Sequence, residues 1–274
     1  MPVFETPRCR VPRIVVTGAG GGIGTALRGR LDHLADSIVL SDRGEVEASG
    51  KESSHPCDLT DLAAVRALLR GGGDVLHFGG QSSEAPFETI LEANLIGTYN
   101  LYEAARLEGV RRVLFASSNH TIGFHPRERR LGADAPVRPD SLYGVSKVYG
   151  EAVARLYYDK FGVESLLLRI GSCFPVPRDR RMLATWLSYD DLLRAIEAML
   201  RVPKLGCPVV YGASANHENW WDNSEAAHLG WIPQDSAEPH RARLEAETPA
   251  PDPGSPAVMF QGGGFCAAGH PDDG

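Results

Sequence analysis

A glycine-rich turn near the start of the chain constrains the fold more than any other stretch. A β-branched run at residues 13–17 leads directly into the sequence Gly-Ala-Gly-Gly-Gly-Ile-Gly at residues 18–24. The apolar residues that follow have helical spacing, at Ile23, Leu27, Leu31 and Leu34. This order predicts a strand, a tight turn and a helix that carries these four apolar positions.

Three of the glycines, Gly18, Gly21 and Gly24, match the pattern TGxxGxxG. In that pattern the missing side chains permit the tight turn, let the backbone approach a pyrophosphate and pack the helix against the strand. The N–H groups at the helix start would then face the phosphates. A glycine cluster by itself is usually only a loop, but its place between a strand and a helix favours dinucleotide binding.

An acidic residue at the end of the second predicted strand indicates which dinucleotide would bind. Asp42 follows residues 37–41 and comes 24 positions after Gly18. At about that spacing a carboxylate accepts hydrogen bonds from the adenosine ribose hydroxyls and repels a 2′-phosphate, which favours NAD. Arg43 could instead hold the phosphate of NADP, so NAD is preferred but NADP stays open.

Two more segments are candidates for contacts with the cofactor. Asp58 and Leu59 precede a helical pattern at residues 61–69, where Asp58 could lie against adenine or, equally well, act on the dipole of that helix. Gly79 closes the strand predicted at residues 74–78, and the backbone could again approach the cofactor there.

Tyr143 and Lys147 are four positions apart within residues 141–161, which are predicted to form a helix. Positions i and i+4 share one face, so the phenol and the ammonium group would point to the same place. A nearby cation lowers the pKa of a phenol from its usual ~10, which would give the site a base. The alternative is a buried tyrosine beside a solvated lysine. The polar residues 117–120 favour the first interpretation, because they close an apolar run at a strand end.

Strand and helix patterns alternate along most of the chain. Strands are predicted at residues 13–17, 37–41, 74–78, 112–117 and 164–170, with long helices at residues 86–106 and 141–161. This alternation predicts an α/β fold with a doubly wound parallel sheet, the Rossmann fold. We expect a single domain over residues 1–274, with its dinucleotide-binding and catalytic core at residues 13–172.

Residues 173–266 are expected to form a small C-terminal substrate-binding subdomain. It would contain a helix at residues 188–200 and a short strand at residues 208–211. Residues 234–256 are polar and rich in proline, and we expect them to wrap around the domain without a core of their own.

Composition argues against several classes of protein. The net charge of −7 offers no basic stripe for nucleic acid. No apolar run approaches the ~18 residues that span a membrane, and no signal peptide is apparent, so we expect a cytoplasmic protein. The cysteines are scattered and never form a CxxC pair, which predicts free thiols and no metal site: Cys9, Cys57, Cys173, Cys207 and Cys266.

These features, in this order, resemble the short-chain dehydrogenase/reductase superfamily and its extended, sugar-nucleotide branch. The resemblance covers residues 13–172 and rests on the glycine turn, Asp42, Asn94, the serine pair before Asn119, and Tyr143 with Lys147. It implies that Tyr143 is the general acid or base, Lys147 holds the nicotinamide ribose, Ser118 bonds the reacting oxygen and Asn94 supports a proton relay. The residues expected to contact the cofactor are Gly18, Gly20, Gly21, Gly22, Ile23, Gly24, Asp42, Asp58, Leu59, Gly79 and Lys147.

Several segments are also similar to the bacterial uronate dehydrogenase family, at residues 115–123, 169–173, 181–186, 205–210 and 220–224. That family oxidises the ring form of galacturonate or glucuronate at C1, giving an aldarolactone and NADH. The resemblance implies that Arg181 binds the substrate carboxylate, a role that suits the planar fork of an arginine. It also implies that the sugar contacts Ser82, Ser118, Asn119, His120, Tyr143 and Ser172.

Some of these residues could instead have a purely structural role. His120 could be a core or capping histidine, Ser172 could merely end a strand and Ser82 could merely begin a loop. Asn94 could face water or its own backbone, or its buried amide could hold a backbone carbonyl or a water near Lys147.

Two other functions share the same motifs. A sugar-nucleotide epimerase or dehydratase would need a larger nucleotide-binding lobe than the stretch after the strand at residues 164–170 allows. A non-catalytic dinucleotide sensor would have no need of Ser118, Tyr143 and Lys147.

The sequence does not indicate which uronate epimer, glucuronate or galacturonate, is preferred. The resemblance suggests a homo-oligomer, because the family's long helices commonly pair across a two-fold axis.

Overall fold

The computed structural model describes residues 10–250 and 252–271, which are organised around one parallel sheet. The strands are β1 (Val11–Thr17), β2 (Ala35–Ser41), β3 (Glu52–Ser54), β4 (Gly73–His77), β5 (Val110–Ser118), β6 (Glu164–Ile170), β7 (Ser172–Cys173), β8 (Trp186–Leu187) and β9 (Val209–Gly212). Seven strands form the sheet in the order β3-β2-β1-β4-β5-β6-β9, while β7 pairs with β8. The strand order reverses between β1 and β4, which is where such sheets open a ligand crevice.

The helices come mostly between consecutive strands. They are α1 (Gly22–Leu27), α2 (Leu62–Leu69), α3 (Phe87–Ile90), α4 (Gly97–Glu108), α5 (Leu142–Phe161), α6 (Met182–Thr185), α7 (Tyr189–Arg201), α8 (Arg241–Glu247) and α9 (Pro256–Met259). A π-helical turn, Leu91–Ile96, joins α3 to α4, and short 3₁₀ turns occur at Asn119–Ile122, Ser224–Leu229, Glu238–His240 and Gly263–Ala267.

Alternate residues of β1 point to opposite faces of the sheet, and both faces are buried. Ile14 and Val16 pack with α1 and α7 in one apolar cluster, whereas Val15 packs with α2, α4 and α5 in the other. All three side chains are fully buried. Helices therefore cover both faces, which confirms the predicted doubly wound parallel sheet.

The helix after the glycine turn is shorter than its apolar spacing predicts. It ends at Leu27, and Gly29 then adopts a left-handed conformation with a φ of 70°. Leu31 and Leu34 are nonetheless buried against the same cluster as Leu27. Apolar spacing reports burial, and here turns bury the two leucines without a continuous helix.

The polar segment at residues 234–256 is more regular than expected. It contains α8, whose Leu244 is fully buried in a cluster with Met182 and Trp186. The segment is therefore helical over α8 rather than extended throughout, and its leucine packs against residues from outside the segment. One apolar side chain on a short polar helix gives almost no periodic signal in the sequence.

No helix within residues 10–250 and 252–271 is long and apolar enough to cross a membrane. In the same ranges no group of His, Cys, Asp and Glu side chains could hold a metal ion, and Cys57, Cys173, Cys207 and Cys266 are free thiols. Cys9 lies outside the described residues.

Candidate active site

The glycine turn between β1 and α1 lies against the end of β4. Gly18 has a φ of 73°, and a Cβ there would lie 2.6 Å from the backbone nitrogen of Gly79. A Cβ at Gly24 would lie 2.3 Å from the carbonyl oxygen of Gly18. Packing within the protein therefore requires glycine at both Gly18 and Gly24.

Gly20, Gly21 and Gly22 form the exposed side of the turn. A Cβ on Gly22 would meet no atom within 4 Å. The N–H of Gly20 donates to Oδ2 of Asp42 at 2.9 Å, which places that carboxylate at the turn, and Ile23 is half-buried against the core. Open backbone beside a fixed carboxylate fits the pyrophosphate and ribose of a dinucleotide.

Leu59 lies against Gly79 at the end of β4, whereas Asp58 faces solvent. A Cβ on Gly79 would lie 2.9 Å from Cδ1 of Leu59. Asp58 accepts hydrogen bonds from the N–H and hydroxyl of Thr60, and these bonds lower its pKa. The residue that caps α2 is Asp61, which accepts from two N–H groups of the first turn. Asp58 therefore does not cap that helix.

Tyr143 and Lys147 project from the first turns of α5. Ser141 caps the helix by accepting a hydrogen bond from the N–H of Gly144 at 2.9 Å. Tyr143 and Lys147 are buried, and the Lys147 nitrogen lies 5.5 Å from the centroid of the Tyr143 ring. The predicted placement of the two groups on one helix face is confirmed. In the part of the chain that the structure describes, no carboxylate pairs with Lys147, and burial lowers its pKa to about 8.

The surroundings of Tyr143 raise its pKa. Burial raises the pKa to about 12, with a smaller lowering by a hydrogen bond with Ser118 and a smaller raising by the charge of Asp140. In the polypeptide alone the pKa of Tyr143 is therefore raised above its usual value, and the loss of hydration is the main cause. A phenolate near neutral pH requires further positive charge at the site.

Asn94 lies in the π-helical turn, which interrupts a helix that the sequence predicts as regular. Its side-chain oxygen accepts from the N–H of Gln81 at 2.7 Å, and its nitrogen donates to the carbonyl oxygen of Gln81 at 3.0 Å and to Oγ of Ser146 at 2.8 Å. The buried amide thus holds a backbone carbonyl beside α5, rather than facing water. Single π-helical turns recur at functional sites.

Arg181 directs its guanidinium into the protein interior. Its Nε and Nη2 donate to the carbonyl oxygen of Gln261 at 3.0 and 2.6 Å, and Nη1 donates to Oγ of Ser172 at 3.3 Å. Asn119, in the amide orientation that satisfies its partners, accepts from Nη2 at 2.7 Å. Burial lowers the pKa of Arg181 to about 10. Arg181 is half-buried, and no carboxylate within the described ranges lies at ion-pair distance from it. The more distant charges of Asp179 and Asp140 compensate its positive charge only in part, since they raise its pKa less than burial lowers it.

The structure places His120 beside Tyr143 but leaves Ser82 apart. Nδ1 of His120 lies 2.8 Å from Oδ2 of Asp140, and the ring centroids of His120 and Tyr143 are 5.7 Å apart. Ser82 lies in the exposed loop after β4, and its hydroxyl has no hydrogen bond to any described residue.

Two acidic residues that the sequence does not single out hold α5 in place. Glu84 accepts hydrogen bonds from the first two N–H groups of α5 at 3.0 and 2.8 Å. Glu151 receives two hydrogen bonds of 2.8 Å from Arg169 and one of 2.6 Å from the hydroxyl of Ser117. No local signal marks Glu84, because its partners are distant in sequence. Glu151 follows Lys147 at the i+4 spacing, which could have found it.

The chain belongs to the NAD dependent epimerase/dehydratase family, whose model matches residues 14–189, including the glycine turn and the strand and helix that carry Ser118 and Tyr143. Comparison with individual proteins gives a narrower match than the family model. The chain is 54% identical to the uronate dehydrogenase of Agrobacterium fabrum, over 92% of this chain and 96% of that protein. It is 51% identical to the uronate dehydrogenase of Pseudomonas putida, over 94% of this chain and 96% of that protein.

Solved structures agree with this family. The crystal structure of uronate dehydrogenase from Agrobacterium tumefaciens superimposes with a TM-score of 0.91 at 52% identity, covering 94% of this chain and 97% of that one. A mutant of that enzyme, complexed with NAD, superimposes with a TM-score of 0.92 at 52% identity, covering 94% and 98% of the two chains.

Proposed function

We propose that this chain is an NAD-dependent uronate dehydrogenase, which oxidises the C1 hydroxyl of cyclic galacturonate or glucuronate to the aldarolactone and passes the hydride to NAD. One observation carries the substrate class. Arg181 is half-buried, burial lowers its pKa to about 10, and no carboxylate in the described residues lies at ion-pair distance from its guanidinium. Such a charge is costly unless an anion joins it. The carboxylate of a uronate supplies that anion, whereas a neutral sugar does not.

The groups next to Arg181 suit a ring with several hydroxyls. Ser172 and Asn119 contact the guanidinium, and Asn119 follows Ser118, which hydrogen-bonds Tyr143. Direct contacts thus connect the anion site to the phenol. We assign the carboxylate to Arg181 and the sugar hydroxyls to Ser82, Ser118, Asn119, His120, Tyr143 and Ser172.

We assign the cofactor to the carboxyl edge of β1, β2 and β4. The residues that would hold it are Gly18, Gly20, Gly21, Gly22, Ile23 and Gly24 at the turn, Asp42 at the adenosine ribose, Asp58 and Leu59 toward adenine, and Gly79 and Lys147 on the nicotinamide side. NAD, when bound, supplies the hydride acceptor and a second positive charge near the phenol. The half-buried Asp42 carboxylate supports NAD over NADP because it repels a 2′-phosphate.

Tyr143 is assigned the role of general base. It takes the proton of the anomeric hydroxyl while Ser118 donates a hydrogen bond to the developing oxyanion. Burial raises the pKa of the phenol. We therefore assign to the ammonium of Lys147, together with bound NAD, the positive charge that would make Tyr143 a base. Asn94 is assigned a supporting role in carrying the proton away, through its contacts with Gln81 and Ser146.

The test is an assay of NADH formation with purified protein. We expect turnover with glucuronate or galacturonate, preference for NAD over NADP, and an aldarolactone visible by NMR. Glucose, which lacks the carboxylate, should be a poor substrate. Conversion of a UDP-sugar without net NADH would replace this proposal with the epimerase or dehydratase function. No turnover of any sugar, with NAD still bound, would favour a dinucleotide sensor.

We further propose that residues 173–266 fold only together with residues 13–172 as one domain, because β9 completes the central sheet beside β6.

We also propose a cytoplasmic homo-oligomer. Val145 and Leu156 on α5 are 51% and 49% exposed, and their spacing of about three helical turns puts them on one face. α5 packs against α4, where Tyr99 is also exposed, so a second copy of this surface could cover all three side chains.

A further inference from the structure

Asp140 lies in a space that two glycines from distant segments leave open. Its side chain is completely buried. A Cβ added at either Gly123 or Gly262 would lie 1.8 Å from Oδ2 of Asp140. Both segments therefore close directly on the carboxylate, and any larger residue at either position would displace it.

The two oxygens of Asp140 have separate partners. Oδ1 accepts a hydrogen bond from the hydroxyl of Ser141 at 2.8 Å, and Oδ2 lies 2.8 Å from Nδ1 of His120. An ionised carboxylate can only accept hydrogen bonds. A hydrogen on Nδ1 of His120 would satisfy this contact, and in the neutral ring Nε2 would then be a hydrogen-bond acceptor.

Aromatic neighbours fix the plane of the His120 ring. The ring of Phe265 lies over it with centroids 3.9 Å apart and planes at 31°, and Tyr143 meets it at 67°. Nε2 of His120 makes no hydrogen bond to any described residue, and the side chain is 12% exposed. The ring is therefore held on one edge by Asp140 and on one face by Phe265, and its Nε2 has no hydrogen-bond partner among the described residues.

We propose that Asp140 is a positioning residue that holds His120 in the Nδ1–H form, so that Nε2 accepts a hydrogen bond from a hydroxyl of the bound uronate. This inference rests on the proposed function. An acceptor nitrogen in a fixed ring recognises a hydroxyl that can donate. It therefore discriminates against a sugar in which that hydroxyl is absent or methylated, because Nε2 would then lose its partner.

Nitrogen NMR of protein labelled at histidine tests the first half of the proposal, because the two ring nitrogens differ in shift according to which carries hydrogen. The His120 signals are identified by their loss in His120→Gln. We expect the Nδ1–H form in the wild-type protein. Asp140→Asn should keep this form, since an amide oxygen can still accept from Nδ1, whereas Asp140→Ala should lose it.

Ser141→Ala is the matched control for the spectrum. It removes the hydroxyl that caps α5 and contacts Asp140 but leaves the Asp140 and His120 pair in place, so the Nδ1–H form should persist. An Nε2–H or doubly protonated ring in the wild-type protein would overturn the proposal. An unchanged His120 spectrum in Asp140→Ala would do the same.

Kinetics test the second half. Asp140→Ala should raise the KM for the uronate by roughly tenfold and leave the KM for NAD almost unchanged. Asp140→Asn should have a KM for the uronate close to that of the wild-type protein. Both variants remove a negative charge near Tyr143, so a change in kcat common to both reports charge, and a change in KM confined to Asp140→Ala reports positioning. An unchanged uronate KM in a folded Asp140→Ala protein would overturn the proposal. The NMR measurement needs no turnover, so failure of the proposed function is distinguishable from failure of this one.

Discussion

The ammonium nitrogen of Lys147 lies 5.2 Å from the ring centroid of Phe115. A buried lysine is more often paired with a carboxylate than with an aromatic ring. Phe115 is packed against α5 itself, since a Cβ on Gly150 would lie 2.2 Å from its ring. An aromatic face attracts a cation but adds no net negative charge. Lys147 therefore directs its full charge to the site, and the lowered pKa records what this costs in stability.

Lys147→Met is expected to stabilise the free protein at neutral pH while removing most activity. Burial lowers the pKa of Lys147 from 10.5 to about 8, so the unfolded chain holds this proton more tightly. The penalty, on the order of 3 kcal/mol at most, is complete below pH ~8 and disappears as pH rises to ~10.5. Urea unfolding should therefore show a gain for the variant that is largest near neutral pH and shrinks in alkaline buffer.

Lys160→Met is the matched control for that measurement, because Lys160 is exposed near the end of the same helix. It should show no comparable gain. A Lys147→Met protein that is less stable than the wild type at neutral pH, or equally changed at every pH, would contradict the interpretation of Lys147 as a buried, uncompensated charge.

Tyr143→Phe is expected to reduce kcat by roughly 10²–10⁴-fold, because it removes the group that accepts the proton. NAD binding should change little, and the fold should be retained because the ring still packs against His120. The measurement is NADH formation together with calorimetric titration of NAD. Tyr149→Phe, on the same helix but only half-buried, is the control and should keep nearly full activity. Full turnover in Tyr143→Phe would refute the proposed base.

Arg181→Ala is expected to raise the KM for glucuronate or galacturonate by roughly 10²-fold or more, since it removes a buried charge-assisted contact. The KM for NAD should change little. The preference for a uronate over glucose should also fall in this variant, because a neutral sugar does not depend on the guanidinium of Arg181. Arg180→Ala is the control: Arg180 donates to the carbonyl oxygens of Glu245 and Thr248. An unchanged preference in Arg181→Ala would rule out this residue as the carboxylate site.

Val145→Glu is expected to give a smaller species by light scattering, because it places a charge on the exposed apolar face of α5 that we propose pairs with a second copy. Ile232→Glu tests whether any added surface charge has this effect, since Ile232 is more exposed but lies outside α4 and α5. The assembly proposal fails if the two variants have the same mass as the wild-type protein.

Local geometry explains which predictions succeeded. The strand at residues 164–170 and the helix that carries Tyr143 and Lys147 agree with β6 and α5, because alternation and i+4 spacing act over a few neighbouring residues. The helix after the glycine turn was predicted too long because Leu31 and Leu34 are buried by turns. The π-helical turn around Asn94 has no local signal, since the bonds that Asn94 makes go to Gln81 and Ser146.

By itself the sequence determined that a parallel sheet would present the glycine turn, Ser118 and the Tyr143 with Lys147 pair at one edge. The patterns that predict each strand and each helix depend only on residues a few positions apart along the chain. Only the tertiary structure decided that Arg181 would be half-buried with no carboxylate of the described residues at ion-pair distance, that Asp140 would lie between Gly123 and Gly262, and that the pKa of Tyr143 would rise. Those outcomes depend on which distant segments exclude water from a charged or polar group, and the residues beside that group in the sequence do not specify this.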